Sequence, residues 1–429
     1  MNLRNLLITK PVLFGFGIAI GVVATLLTLT FAPDKHELEA PLPPVLSAGT
    51  PTFFHSMNGL FGSGILGGNS IETLVNGDEI FPAMLEAIAG AERSINFETY
   101  VYWSGEIGQR FAHALAERAR AGVEVRVLLD WVGSAPMEDD LLDIMTEAGV
   151  RVVRFRPVRW YTIDKINNRT HRKILIVDGR TAFTGGVGIA DEWQGDARNP
   201  DEWRETHYRV EGPVVGEFQG AFVHNWVEAT HEQLMGEAYF PAPQSAGERQ
   251  AQVVYSTTGE RNDMHLMTMT ALASARHHIR IGTPYFVPDD IALAQLLEAR
   301  RRGVEIDILI PGEHTNKAVV RSASRHFWGE LLEAGVRFHE FEPTMYHAKI
   351  LIVDDQWASI GSANFDERSF RLNDELNLNV HDTAFAAEQI ALYDADLARA
   401  RPVTLQSWED RPFGQKIADW LFSGLRVQL

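Results

Sequence analysis

The stretch HAKILIVDD, His347 to Asp355, repeats HRKILIVDG, His171 to Gly179, at a distance of 176 residues. Three further pairs of segments echo each other at nearly the same spacing. AERSINFETYVYW from Ala91 returns as ARHHIRIGTPYFVP from Ala275, 184 residues on. AGVEVRVLLD from Ala121 returns as RGVEIDILIP from Arg302 after 181, and EAGVRVVRFRP from Glu147 as EAGVRFHEFEP from Glu333 after 186. A repeat of this length constrains the fold more than any local pattern, because both copies must build the same kind of unit.

Each unit reads strand, helix, strand, helix, strand and then the His-Lys strand. Ile107, Phe111 and Leu115 share one helical face in the first copy, and Leu293, Leu296 and Leu297 serve in the second. Gly122 and Gly303 close these helices, and Gly149 and Gly335 close the next pair. Strands alternating with helices predict an α/β fold with a mixed sheet flanked by helices in each lobe. Two such lobes, at 69–245 and 246–411, are expected to face each other about a pseudo-twofold axis with one seam.

Before the repeat lies PVLFGFGIAIGVVATLLTLTFAP, Pro11 to Pro33, which carries no charge. As a helix it is long enough to cross about 30 Å of hydrocarbon, so a transmembrane anchor is expected at 11–33. Arg4 and Lys10 precede it and Asp34, Glu37 and Glu39 follow, which places the N-terminus in the cytoplasm and the bulk of the chain outside it. Residues 34–68 read as a linker, Pro-rich at first, with a Gly-rich lead-in from Phe53 to Asn69. In the tail, 412–429, Ile417, Trp420, Leu421 and Leu425 fall at helical spacing and predict a docked terminal helix.

The chain has no cysteine, which removes thiolate nucleophiles and cysteine zinc sites. Its net charge of −18 disfavours a polyanion, so no nucleic-acid partner is expected. The chemistry must then rest on the repeated His-x-Lys. Residues i and i+2 of a strand share a face, so His171 points with Lys173 and His347 with Lys349. An ionisable pair opening an apolar strand is costly unless it has partners or a task. Brought together at the seam, one histidine can attack while the other protonates a leaving group, and the lysines can hold negative charge. Asp178 and Asp354 lie about 23 Å away along an extended chain and are assigned to anchoring the strand ends. Seven residues beyond each comes a small-residue turn, where Gly186 allows close backbone approach and Ser362 and Asn364 can donate to phosphate oxygens.

The paired motifs His171-x-Lys173-x4-Asp178 and His347-x-Lys349-x4-Asp354, the second followed by Gly361-Ser362-x-Asn364, resemble the phospholipase D superfamily. With NFETYVYW, TPYFVP and GSANFDERSFRLNDELN, the chain is most similar to bacterial cardiolipin synthases over about residues 69–411. The resemblance implies phosphodiester exchange through a phosphohistidine, with no metal or cofactor. His171 is expected as nucleophile and His347 as acid/base, each with a carboxylate on its second nitrogen. Glu375 in LNDELN and Glu205 in WRETHYRV are the carboxylates offered by the second and first copies. One departure stands out: the first copy has Gly188 where the family often has asparagine.

The expected activity is phosphatidyl transfer joining two phosphatidylglycerols to cardiolipin plus glycerol, at the bacterial inner membrane with the catalytic region extracytoplasmic. The alternatives are a phospholipase D releasing phosphatidic acid and, further off, a nuclease or other phosphodiesterase. A single lobe pair completes a site, so oligomerisation is left open.

Overall fold

The computed structural model describes residues 38–159, 166–258 and 262–428, with Gly17, Gly21 and Thr25. The expected membrane span at 11–33 otherwise lies outside the described residues. Among those described, no helix is long and apolar enough to cross a membrane.

The first lobe contributes β1 (Leu66–Val75), β2 (Ser94–Thr99), β3 (Glu124–Asp130), β4 (Arg151–Phe155), β5 (Ile174–Val177), β6 (Thr181–Gly185) and β7 (Thr206–Glu211). The second contributes β8 (Arg249–Tyr255), β9 (His278–Gly282), β10 (Glu305–Pro311), β11 (Arg337–Phe341), β12 (Ile350–Val353), β13 (Trp357–Gly361), β14 (Leu376–Val380) and β15 (Ala400–Val403). All fifteen join in one sheet, in the order β15-β11-β10-β9-β12-β13-β14-β8-β1-β7-β6-β5-β2-β3-β4. Read outward from the central β8/β1 pair, the two halves have the same order, with β15 as one addition. The parallel runs β2-β3-β4 and β9-β10-β11 carry the helical crossovers, and the remaining pairs are antiparallel.

One continuous sheet replaces the expected sheet in each lobe. Strand β1 pairs with β7 over Ser70–Val75 and reaches β8 through Leu66 opposite Ala251 and Asn69 opposite Arg249. Each lobe would otherwise leave its first strand as an open edge, with unpaired backbone groups. Packing follows the same logic. One core belongs to the first lobe around Phe97, Phe111 and Leu115, and another to the second around Ile308, Trp328 and Phe338. A third is shared: Ile174 and Ile176 of β5 and Ile352 of β12 pack in one cluster with Trp226 and Phe385. Neither lobe buries all its apolar surface alone.

Residues 34–68 are not a linker throughout. Pro51–Phe61 form a helix whose N-cap, Thr50, accepts from the Phe53 N–H at 3.3 Å. Phe53 and Met57, one turn apart, are fully buried in the second lobe's core, and Gly62 ends the helix at φ 69°. The Thr-Pro start and the apolar i, i+4 pair outweigh the glycines that suggested a flexible lead-in.

The tail helix Phe413–Ser423 packs on the helix Ala318–His326, but with the opposite face from the one expected. Asp419 is the buried residue, 3.2 Å from Arg325 and 3.1 Å from Arg411. A carboxylate flanked by two guanidiniums provides the anchor instead of apolar contact.

Two short ladders cross the seam and set the site. Arg169–Thr170 pairs in parallel with Asn373–Asp374, and Arg204 bridges in parallel to Tyr346. Buried ion pairs clamp both: Asp374 lies 3.2 Å from Arg156, and Arg204 lies 2.8 Å from Asp396. Replacing Arg204 by alanine would leave the Asp396 carboxylate buried without its partner. The expected cost is about 3–5 kcal/mol, read as a lowered denaturation midpoint in urea.

Candidate active site

The segments carrying the histidines leave the seam ladders and enter the strands β5 and β12, both of sequence ILIV. Strand pairing begins at Ile174 and Ile350, so His171, Lys173, His347 and Lys349 precede the strands instead of opening them. The ladders also fix register between lobes. The His171 N–H donates to the Asp374 carbonyl at 2.8 Å, and the His347 N–H donates to the Arg204 carbonyl at 2.8 Å. Each histidine is thereby aligned with the residue after its ladder partner, which is Glu375 for His171 and Glu205 for His347.

The carboxylates are consequently exchanged between the lobes. His171 Nδ1 lies 2.9 Å from Glu375 Oε1, and His347 Nδ1 lies 2.6 Å from Glu205 Oε2. An Nδ1–H donated to a carboxylate leaves Nε2 as the reactive nitrogen. Burial, followed by the charges of Lys173 and Lys349, holds the His171 imidazole well below its ordinary pKa; for His347 the same forces act with Lys349 first. A neutral ring is what attack on phosphorus requires of the nucleophile, whereas the acid must carry a proton on Nε2, a charge that the Glu205 carboxylate 2.6 Å from His347 Nδ1 can support. Burial also pulls Lys349 down to about 8 and pushes Glu205 up to about 7.

The lysines sit against their own histidines. Lys173 Nζ donates to the His171 carbonyl at 2.8 Å, and Lys349 Nζ lies 2.9 Å from His347 Nδ1 and 3.9 Å from Glu205. Four buried ionisable side chains from two lobes therefore share one small volume. Such clustering of shifted groups is a mark of a reaction site.

The two halves differ in their supports. Glu375 accepts from Ser362 Oγ at 2.5 Å, Ser369 Oγ at 2.8 Å and Asn373 Nδ2 at 3.2 Å, besides His171. This corrects the expectation for Ser362: its hydroxyl proton is given to Glu375 and is not free for a phosphate oxygen. Gly186, at the matching position, makes room for a carboxylate and not for a ligand. A Cβ there would lie 2.2 Å from Glu205 Oε2. Gly186→Ala is therefore expected to displace Glu205 from His347 and lower turnover by about 100-fold, measured as kcat with folding checked by circular dichroism. Asn364 is buried beside Lys349, and its Oδ1 has no hydrogen-bond partner among the described residues.

The absence of an asparagine at position 188 also has a cause. A Cβ on Gly188 would lie 2.8 Å from Val101 and 3.1 Å from the Trp193 ring. Trp193 in turn packs against His347 at 5.2 Å between ring centres, and Trp203 flanks the same imidazole at 5.3 Å. Tyr100 meets His171 at 5.3 Å and lies 5.7 Å from Lys173 Nζ.

Asp178 and Asp354 end β5 and β12 at φ 53° and 54°. Asp178 accepts from the N–H groups of Glu92, Arg93 and Ser94 at 2.7–2.9 Å, and Asp354 from those of Arg276, His277 and His278 over the same range. These bonds fasten each histidine strand to its neighbour, far from the imidazoles.

Trp193, Trp203, Ser369, Asn373 and Lys317 are site residues that the sequence did not single out. Lys317 lies 4.9 Å from the Tyr285 ring, and its charge is felt by both histidines. It follows β10 in a loop whose counterpart in the first copy, residues 131–138, carries no lysine or arginine, so the repeat carried no signal for it. Ser369 was visible only as part of a quoted motif.

The chain is similar to known proteins over most of its length. The family described as "Cardiolipin synthase, PLD-like domain" matches residues 84–196 and 268–397. The chain is 36% identical to cardiolipin synthase 2 of Bacillus anthracis over 351 residues, covering 81% of this chain and 68% of that protein. It is 35% identical to the cardiolipin synthase of Geobacillus thermodenitrificans (strain NG80-2) over 350 residues, covering 81% and 70%. Among solved structures, the phosphatidylserine synthase of Haemophilus influenzae Rd KW20 aligns with a TM-score of 0.65 over 89% of this chain and 100% of that chain, at 14% identity. The polyphosphate kinase from Porphyromonas gingivalis aligns at 0.54 over 93% and 58%, at 15% identity. At these identities the likeness to solved structures is one of fold.

Proposed function

The chain belongs to the cardiolipin synthase family of phospholipase D-like proteins, and on that premise we propose that it joins two phosphatidylglycerol molecules into cardiolipin and releases glycerol. The observation that carries the reading is the pair of histidines at the seam, each tied through Nδ1 to a glutamate of the opposite lobe. Neutral His171 attacks the donor phosphorus through Nε2; the P–O bond to the glycerol headgroup breaks, and His347, protonated on Nε2 beforehand with Glu205 supporting the charge, gives that proton to the departing oxygen. His347 then takes the proton of the acceptor lipid's terminal hydroxyl, whose oxygen attacks phosphorus as the P–N bond breaks. Lys173, Lys349 and the Asn364 amide stabilise the phosphoryl oxygens through both steps.

The assignment of His171 as nucleophile is supported by Glu375. Burial pushes Glu375 up to about 7, as it does Glu205, but its three further donors oppose that rise. In the carboxylate form it supports the positive charge that develops on His171 when Nε2 bonds to phosphorus. Residues 11–33 anchor the chain in the bacterial inner membrane, with the lobes on the extracytoplasmic side.

The test is product analysis of the detergent-solubilised full chain with labelled phosphatidylglycerol, with His171→Ala as control. Cardiolipin and glycerol in equal amounts, absent in the control, are the expected products. Phosphatidic acid alone would mean that water, and not a lipid hydroxyl, reaches the phosphohistidine, and the transfer reading would be abandoned for a hydrolase.

A further inference from the structure

The tail helix Phe413–Ser423 is amphipathic, yet it is docked by its polar side. Asp419 is 1% exposed between Arg325 and Arg411, while Phe413 is 78% exposed, Trp420 65%, Leu421 57%, and Ile417 and Leu425 44%. Twelve large hydrophobic side chains are exposed among the described residues, and five of them lie in these thirteen positions. Val319, on the helix that supports the tail, is a sixth. An apolar face this concentrated, turned outward by a buried ion pair, is expected to meet an apolar phase.

Charge selects which phase. In a chain of net charge −18, the only carboxylate side chain from Arg411 to Gln428 is Asp419, which is buried. Of the other charged residues of that stretch, Arg411 is held by Asp419 and Arg426 by Asp290, which leaves Lys416 as the cation beside the face. An apolar face that carries a lysine and no exposed carboxylate of its own suits the surface of a bilayer containing anionic phospholipid.

The tail is also linked to the active site by hydrogen bonds and packing. Arg368 donates to the Gln428 carbonyl at 3.2 Å, one residue from Ser369, which holds Glu375. On the other side, Val320 of the supporting helix packs in one cluster with Tyr285 and Met345, against which Trp203 also packs, and Trp203 flanks His347.

We infer that the outward face of the C-terminal helix is a bilayer-contact surface that seats the active-site mouth on the membrane holding its lipid substrate. The inference rests on the phospholipid reading above. It assigns the helix a task distinct from anchoring: it sets the orientation of the catalytic seam relative to the lipid headgroups.

The experiment uses the full chain reconstituted in vesicles of phosphatidylglycerol and phosphatidylcholine, with nitroxide-labelled lipid as quencher. The quenchable tryptophan fluorescence lost on Trp420→Phe should mark Trp420 as a lipid-contacting residue. The triple variant Phe413→Ser, Trp420→Ser, Leu421→Ser should lose at least tenfold in turnover of vesicle lipid and keep wild-type turnover of short-chain phosphatidylglycerol dispersed in detergent. Since both proteins retain the N-terminal segment, the difference reports seating and not attachment. Equal turnover on vesicles, a parallel fall on both substrates, or an unquenched Trp420 would overturn the inference. So would a dimer of the wild type that the triple variant abolishes, because the face would then belong to a second copy. If the wild type turns over neither form of phosphatidylglycerol, the enzymatic reading fails by itself, and the Trp420 quenching still decides the surface.

Discussion

His171→Ala is expected to reduce phosphatidylglycerol turnover by about 10⁴-fold or more, because removal of a covalent nucleophile leaves only binding and electrostatic stabilisation. His347→Ala should cost about 10²–10⁴-fold, the range of a lost general acid and base, and part of that loss should be restored by a donor lipid with an acidic leaving alcohol. The split is measurable by alkaline trapping of a phosphatidyl group labelled at phosphorus, because the P–N bond of a phosphohistidine survives base and is cleaved by acid. Label should remain attached in His347→Ala given the activated donor, and none should attach in His171→Ala. Label on His347 in the His171 variant would reverse the two roles.

The exchanged carboxylates lead to a sharper expectation. Glu205 follows His171 in the first lobe but holds His347 of the second, so Glu205→Gln should behave like a His347 variant. Replacing the carboxylate that orients a catalytic imidazole costs up to about 10⁴-fold in kcat, since the amide favours the wrong tautomer. An activated leaving group should again recover part of the loss. Glu375→Gln, in contrast, should slow formation of the covalent intermediate with every leaving group, as a His171 variant does. Should Glu205→Gln instead follow the His171 pattern, the register across the seam would have to be redrawn.

How much of this was legible beforehand can be judged residue by residue. The two His-x-Lys pairs, the two glutamates and the two strand-end aspartates all stand in the sequence at nearly equal offsets. A duplicated unit that places histidine and lysine at the head of an apolar strand leaves few bland explanations. The sequence could not pair each histidine with its glutamate. That choice is made by two parallel ladders, Thr170 beside Asp374 and Arg204 beside Tyr346, between segments about 140 and 200 residues apart. Ser362 shows the same limit: a hydroxyl in a glycine-rich turn suits phosphate, until the fold places a carboxylate 2.5 Å away.

The lead-in helix at Pro51–Phe61 illustrates a different failure. Its local signals were present, a Thr-Pro start and a closing glycine, but the neighbouring Gly-rich stretch outweighed them in a reading without partners. Burial of Phe53 and Met57 supplied what propensity alone does not. The tail helix failed for the reverse reason. Periodicity located its apolar face correctly, yet periodicity says only that two faces differ, and not which one meets the protein. Asp419, between Arg325 and Arg411, decided that.

By itself, then, the sequence determined that two copies of one α/β unit exist, and which side chains in them are ionisable, apolar or small. Those are properties of single residues and of spacings along the chain. The joining of both lobes in one sheet, the exchange of glutamates across the seam and the outward turn of the last helix were decided by the tertiary structure. Each depends on which distant backbone or charge comes within about 3 Å, the distance at which hydrogen bonds form.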